Sequence, residues 1–351
     1  MLKIQKRTNL PKKYEILLSI GAIVLALVVS GIIILCLGFN PIKMYAKMLT
    51  GVFGTPTLFA LTVKKCIPLL IMSLGVSIAF KMKFWNIGAE GQFYMGAFGA
   101  TWLWLTFPDL PGYILIPLMM VAAIISGGVW ALIPALLKHK LGTSETLVTL
   151  MLNYVAIKFI TYLALGPWKD PKMMGQAMIY KYTENSTLPT VFGIHIGWII
   201  ALVLVVLVYI LMKYTKFGYE IAVLGENPDT AKYAGMNVTK TLILAVVLSG
   251  GICGLAGVIE ATGTATRLGD SISGGLGFTA IITAWLAKLS APMILVSSFL
   301  FAVLLQGGSM LTVMGLSAAT GEVIQGLILF FVLASEFFLN YEIVYKRKEN
   351  D

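Results

Sequence analysis

Lys216-Phe217-Gly218-Tyr219-Glu220, followed after four residues by Gly225-Glu226-Asn227-Pro228-Asp229-Thr230-Ala231-Lys232-Tyr233-Ala234-Gly235-Met236-Asn237, is a polar interval between two strongly apolar runs, 196–212 and 241–260. Its chemistry spells a short helix. Asn227 suits the N-cap, Pro228 the first helical position and Asp229 the positive helix end. Gly235 suits the C-terminal cap, where a left-handed backbone is wanted. That leaves about two turns, roughly 10 Å at 1.5 Å per residue. Two readings are open on the residues alone: an ordinary loop with a helical turn, or a docking helix held out for a soluble partner.

The flanking runs set the class of chain. Of 351 residues, 58% are hydrophobic and only 12% are charged. A soluble domain is about half apolar and a quarter charged, so this composition defines an all-α polytopic membrane protein. The formal charge of +10 would suit nucleic acid if it lay on one face. Instead the charges sit in short clusters between apolar runs, which is a topology signal; lipid is the expected neighbour and nucleic acid is not. Cys36, Cys66 and Cys253 are scattered through apolar segments without a CxxC, and His139 and His195 have no partner at helical spacing. A disulfide framework and a zinc centre are therefore not expected. The chain contains no Gly-Lys dipeptide and hence no P-loop. Any ATP-driven role requires another chain to hydrolyse the nucleotide.

Residues 1–13, with Lys3, Lys6, Arg7, Lys12 and Lys13, read as an inner N-terminal segment. The apolar run 16–38 is long enough to cross a bilayer core of about 30 Å and too long for a signal-peptide core. Residues 39–56 read as an outer loop. The run from Cys66 to Phe80 is short and is preceded by Lys64 and Lys65, with Pro68 inside it. It leads through Lys81, Lys83 and Phe84-Trp85-Asn86-Ile87-Gly88-Ala89-Glu90-Gly91-Gln92 into 93–107, the pattern of a broken or re-entrant helix lining a cavity. Spans follow near 112–137, 146–166, 193–212 and 240–261, with a polar loop over 167–192. Residues 262–277 are rich in Gly, Thr and Ser and carry Arg267 and Asp270; with the short apolar piece 278–287 they form a second broken-helix candidate. Corresponding breaks in two halves point to a transport pathway. Further spans lie near 292–306 and 321–340.

This gives about ten transmembrane segments, with eight or nine if an ambiguous region is divided differently. The domain reading is one membrane domain over 14–340, a loop at 214–240, and an inner tail over 341–351 that includes Tyr345-Lys346-Arg347-Lys348. With both termini inside, seventeen Lys and Arg fall on inner segments and six on outer loops, while Lys64, Lys65 and Lys158 lie within spans. That bias supports the orientation.

Glu90 is the most informative acid, because a carboxylate within a span seeks protein or water. Either it pairs with Lys81 and Lys83 or bonds to a broken helix end, or, with Asn86 and Gln92, it lines a translocation path. Ser144 or Thr143 can cap the helix after them, with Glu145 in its first turn. Asn153 either bonds between helices or touches a solute.

The run Asn86-Ile87-Gly88-Ala89-Glu90-Gly91-Gln92 resembles the Asn-Ile-Gly-x-Glu-Gly-Gln signature of bacterial ABC importer permeases for simple sugars, nucleosides and branched-chain amino acids. Gly218-Tyr219-Glu220, Gly225-Glu226-Asn227-Pro228 and Ala231-Lys232-Tyr233-Ala234-Gly235 resemble the coupling loop of the same family, in the same order along the chain. Gly166-Pro167-Trp168-Lys169-Asp170-Pro171 is similar to the nucleoside-type, basic-membrane-lipoprotein-dependent subgroup. The resemblance covers roughly 60–340. It implies a type II importer-like fold in the plasma membrane and a second permease subunit, homologous or identical. It also implies separate ATPase subunits that hold ATP and magnesium, an external substrate-binding lipoprotein, and no cofactor or catalytic residue on this chain. Residue by residue it assigns ATPase coupling to Gly218, Glu220, Gly225, Glu226, Asn227, Pro228, Asp229, Ala231, Tyr233 and Gly235. Asn86, Glu90, Gln92 and Asn153 are its translocation-path candidates. The alternative is a self-sufficient secondary transporter, which would want acids at mid-depth; Glu90, Glu260 and Glu322 fall near predicted span ends.

Overall fold

The structure is a computed structural model that describes residues 2–6, 12–173 and 178–345. The helices are α1 (Lys12–Cys36), α2 (Pro41–Phe53), α3 (Pro56–Lys81), α4 (Ala89–Thr106), α5 (Gly112–Leu141), α6 (Glu145–Leu165) and α7 (Gly197–Tyr214). They continue with α8 (Lys216–Glu226), α9 (Pro228–Tyr233), α10 (Val238–Glu260), α11 (Leu276–Leu286), α12 (Ala291–Val313) and α13 (Ala318–Asn340). Four short strands are β1 (Leu2–Lys6), β2 (Thr190–Val191), β3 (Ile194–His195) and β4 (Tyr341–Tyr345). Arg7 and the basic tail Lys346-Arg347-Lys348 lie outside the described residues.

The chain divides into two compact units, Met1–Phe59 with Val303–Asp351, and Ala60–Ala302. In the first unit β1 pairs antiparallel with β4, Ile4 opposite Ile343. The loop expected over 39–56 is instead largely the helix α2, bent 115° from the helix before it. Asn40 caps α2 by accepting from Ile42 N (3.0 Å) and Lys43 N (3.2 Å), and Pro41 opens it. Met44, Met48, Gly51 and Val52 recur at helical spacing and are buried, so packing, rather than the modest apolarity of the segment, decides its state. Met44 and Met48 join Ala26, Ile34, Leu311, Leu316 and Ile324 in one buried cluster.

In the second unit α3 is the core helix: 83% of its apolar stretch is buried, against 22% for α7. The expected interruption near Lys64, Lys65 and Pro68 does not occur, because α3 runs unbroken through them. Pro68 removes one ladder bond, and burial against neighbouring helices tolerates that loss. The break falls later, at 82–88. α4, α5 and α10 pack closely; a Cβ on Gly254 would sit 2.3 Å from Ala123 O, so only glycine permits this approach.

The break expected over 262–287 is present. α10 passes through a π-turn, Ala261–Ala265, to Thr266 at φ 57°. The chain then runs without helix to Gly275. Thr266 O accepts from Tyr182 N (3.1 Å), and the Tyr182 hydroxyl is 2.6 Å from Thr101 Oγ1. Asp270 O accepts from the Tyr94 hydroxyl (2.6 Å), and Ser273 reaches Glu90. These partners step down α4 from Thr101 to Tyr94 to Glu90, so the irregular segment lies alongside a helix rather than above it. α11 has 11 residues, about 16 Å, too short to cross a bilayer core.

Among the described residues six helices are long and apolar enough to cross a membrane, or seven if the bent α1–α2 pair counts as one span. The expected ten are therefore not all present as simple spans: α2 is a bent return, and α11 is half a span.

Candidate functional site

The 216–237 interval folds as two helices. Thr215 caps α8, its hydroxyl oxygen accepting from Gly218 N (3.1 Å). Gly218, Ile221, Leu224 and Gly225 are buried. Glu220 accepts from the Thr241 hydroxyl (2.8 Å), which fastens α8 to α10, and has Lys216 Nζ at 3.8 Å. A Cβ on Gly225 would lie 2.1 Å from Lys81 O, so α8 ends pressed against the last turn of α3.

The chain then turns outward. Asn227 caps α9 as its spacing predicts, accepting from Asp229 N (2.8 Å), and Pro228 opens it. Gly235 lies past the end at φ 74°, and Met236 N bonds to Ala231 O (3.0 Å). This places glycine where a helix end needs a left-handed residue. Only Ala231 of α9 is buried. Pro228, Asp229, Thr230 and Lys232 are exposed, and Tyr233 is 94% exposed. The Asp229–Lys232 pair at 3.7 Å is solvated on both sides and adds little stability. The ten coupling candidates thus divide. Gly218, Glu220, Gly225 and Ala231 form the seat. Asn227 and Gly235 shape the helix ends. Glu226, Pro228, Asp229 and Tyr233 face outward.

The second group of predicted residues forms one buried knot. Asn86 and Gln92 exchange amide bonds: Asn86 Nδ2 donates to Gln92 Oε1 (3.1 Å) and Gln92 Nε2 to Asn86 Oδ1 (2.9 Å). Asn86 Nδ2 also reaches Ser249 Oγ on α10 (3.2 Å), and Asn86 Oδ1 accepts from Gly88 N (3.0 Å). Asn153 on α6 donates to Ile87 O (2.8 Å) and accepts from Gly91 N (2.8 Å). Thr149 Oγ1 accepts from Ile87 N (3.2 Å). Glu90 accepts from the Ser273 hydroxyl and from Gly277 N (2.7 Å) at the start of α11. Asn86, Glu90, Gln92 and Asn153 are all buried, and every one of them is hydrogen-bonded. Glu90 therefore holds a broken helix end, while Lys81 and Lys83 are exposed. Ser249 and Thr149 are partners that sequence reading missed, because single hydroxyls in apolar runs carry no signal of their own; Ser273, a candidate from the sequence for satisfying broken-helix backbone groups, does so by accepting from Gly275 N (3.1 Å). The cap at Ser144 forms as expected, and Glu145 pairs with Lys138 at 2.6 Å.

In the irregular segment after α10, Arg267 pairs with Asp170 (3.3 Å). His195 is buried, its Nε2 3.3 Å from Thr264 Oγ1. Among the described residues no group of three His, Cys, Asp or Glu side chains is placed to hold a metal ion.

An exposed short helix seated on α8, a polar knot binding two helix breaks and several apolar helices of spanning length describe a polytopic membrane protein. The sequence profile of the branched-chain amino acid transport system permease component matches residues 58–333, and the chain belongs to that family. It is 32% identical to the glucose ABC transporter permease protein TsgB13 of Haloferax volcanii, over 100% of this chain and 96% of that protein. It is 31% identical to the nucleoside ABC transporter permease protein NupB of Lactococcus lactis, over 92% and 91%. It is 29% identical to the guanosine ABC transporter permease protein NupP of Bacillus subtilis, over 92% and 94%. The chain is the permease subunit of an ABC importer; it is not the catalytic component, and ATP hydrolysis belongs to a separate ATPase. This sets aside the self-sufficient transporter.

Proposed function

We propose that this permease carries nucleosides or a related small polar solute across the plasma membrane, with both termini cytoplasmic, and that α9 is its contact with the ATPase. The observation that carries the coupling assignment is the exposed α9 seated on α8, whose inner face is buried and sealed by glycines. ATP binding with magnesium closes the ATPase pair. α9 takes up that motion, α8 passes it to α3 at Gly225, and the helices alternate access to a central path. A second permease subunit completes the path, and an external lipoprotein delivers the solute. Support for the solute class comes from relatives named for nucleosides and guanosine; a relative named for glucose makes a simple sugar the second reading.

The test is affinity purification from native membranes of wild type beside Asp229→Lys with Tyr233→Ala. Both changes alter exposed groups and leave the seat intact. Co-purification of an ATPase with wild type and its loss from the inserted variant is the expected result. Wild type that brings no ATPase under several mild detergents overturns the assignment. Uptake of labelled guanosine against labelled glucose then separates the two solutes.

A further inference from the structure

Lys158 and Asp270 are far apart in sequence, and the described contacts bring their surroundings together. Asp270 lies in the irregular segment between Thr266 and Gly275, its carbonyl held by the Tyr94 hydroxyl (2.6 Å). Thr161 of α6 has Asp270 Oδ2 at 3.2 Å and its own helix's Ile157 O at 3.1 Å, and shares one hydroxyl proton between them. Lys158 is three residues before Thr161, so the two share a helix face. Lys158 and Asp270 are both exposed in the single chain. The rest of that face is apolar or aromatic, with Met151, Tyr154 and Tyr162 more than half exposed.

Two constraints bear on this surface. A lysine or aspartate turned to hydrocarbon costs about 2.5–3.5 kcal/mol at a helix centre on insertion scales. Irregular backbone at membrane depth is tolerated only where it is buried in protein or lines a water-filled cavity. Both constraints are met if this side of α6 and the segment around Asp270 face an aqueous path rather than lipid. We infer that Lys158, Thr161 and Asp270 form a wall of the solute path and a hydrogen-bonding subsite for the vicinal hydroxyls of a polyhydroxyl ring. The chemistry matches in kind. A carboxylate accepts two hydroxyl protons from a vicinal diol, an ammonium donates to a hydroxyl or ring oxygen, and the Thr161 oxygen, its proton already engaged, accepts. A ribosyl or hexosyl ring offers those groups and a flat base does not, so the subsite reads the sugar. This deepens the permease reading and rests on it, without depending on which base or sugar is carried.

The experiment uses the complete importer in cells. Cys36, Cys66 and Cys253 are replaced, and single cysteines are introduced as Lys158→Cys, Thr161→Cys and Asp270→Cys, with Val206→Cys on the apolar face of α7 as the control. A water-soluble, membrane-impermeant thiosulfonate should label the three wall positions, with protection by transported solute, and leave position 206 untouched. Three unlabelled positions in inserted protein overturn the wall. In the second arm, Asp270→Asn should raise KM for a ribonucleoside about tenfold and leave a 2′,3′-dideoxynucleoside unchanged. An equal loss on both substrates overturns the diol subsite. If wild type imports no nucleoside, the solute proposed above fails, and labelling still decides the wall while a hexose and its deoxy analogue replace the substrate pair.

Discussion

Gly277 donates its backbone N–H to Glu90 Oε2 at 2.7 Å across 187 positions of sequence. The contact joins the start of α4 to the start of α11, each a helix that begins after a break in the chain. A helix start leaves unpaired N–H groups and a partial positive charge. A buried carboxylate answers both needs, which explains an acid where an apolar residue would otherwise be expected. The Ser273 hydroxyl completes the arrangement.

Replacing Glu90 with Ala should therefore leave Gly277 N–H and Ser273 without their acceptor and loosen α11. Hydrogen bonds to a charged group contribute about 1.5–3 kcal/mol each. Thermal unfolding in detergent should show Glu90→Ala well below wild type, and Glu90→Gln, which keeps one acceptor, between them. A Glu90→Ala protein as stable as wild type would remove the tie from the argument.

The Asn86–Gln92 amide pair gives a coupling prediction. Gln92→Leu removes one partner from each end of the Asn86 amide, while Nδ2 keeps Ser249 Oγ and Oδ1 keeps Gly88 N, so it should cost about 0.5–1.5 kcal/mol per lost bond. Asn86→Leu should cost at least as much, because Ser249 and Gly88 N also lose a partner. The double variant should cost less than the sum of the two, since one interaction is lost in both. A double-variant cycle of unfolding free energies that closes to zero contradicts the reciprocal pair.

Gly225 and Gly235 are both glycines of the coupling segment, for different reasons, and alanine separates them. At Gly225 a methyl meets Lys81 O at 2.1 Å, so Gly225→Ala forces α8 off α3. Overpacking of this kind costs about 1–3 kcal/mol, and transport should fall with it. At Gly235 nothing among the described residues lies within 4 Å of a Cβ, and the φ of 74° is what objects. Gly235→Ala should cost about 1 kcal/mol and leave ATPase binding largely intact. Stability and ATPase co-purification of the two variants, side by side, check the order.

Much of this arrangement is legible in the chain because local chemistry dictates it. Asn227-Pro228-Asp229 and Gly235 define α9 without reference to anything else. The Asn86–Gln92 run announces a polar site inside apolar sequence. What it does not announce is the use of that site. Whether Glu90 faces lysines, water or a helix start depends on Ser273 and Gly277, which come from another part of the fold. α2 was hidden because its apolar positions are diluted by Lys43, Lys47 and Thr50, and only burial against α12 and α13 residues makes the stripe visible. Pro68 misled in the other direction: proline breaks an isolated helix, while α3 is held on nearly all sides. The segment around Asp270 reads from composition as the break in a discontinuous helix, and its place beside α4 follows from tertiary bonds alone.

His195 supplies the pH dependence. It lies in the β2–β3 hairpin, outside the spanning helices, and it is buried, with Nδ1 lacking a hydrogen-bond partner among the described residues. Burial, and secondarily the charge of Lys64, push its pKa down from 6.5 to about 4. The folded protein therefore holds the neutral ring while the unfolded chain takes up a proton near pH 6.5. A group with a depressed pKa of this kind contributes its stability fully above the unfolded value and loses it as pH falls toward the folded one. At about 1.4 kcal/mol per unit, the window from pH 6.5 to 4 carries roughly 3 kcal/mol. Unfolding temperature in detergent should fall over that window for wild type, and the fall should be shallower for His195→Phe, whose ring fills the same space and binds no proton. Parallel pH profiles for the two proteins would place the titration elsewhere.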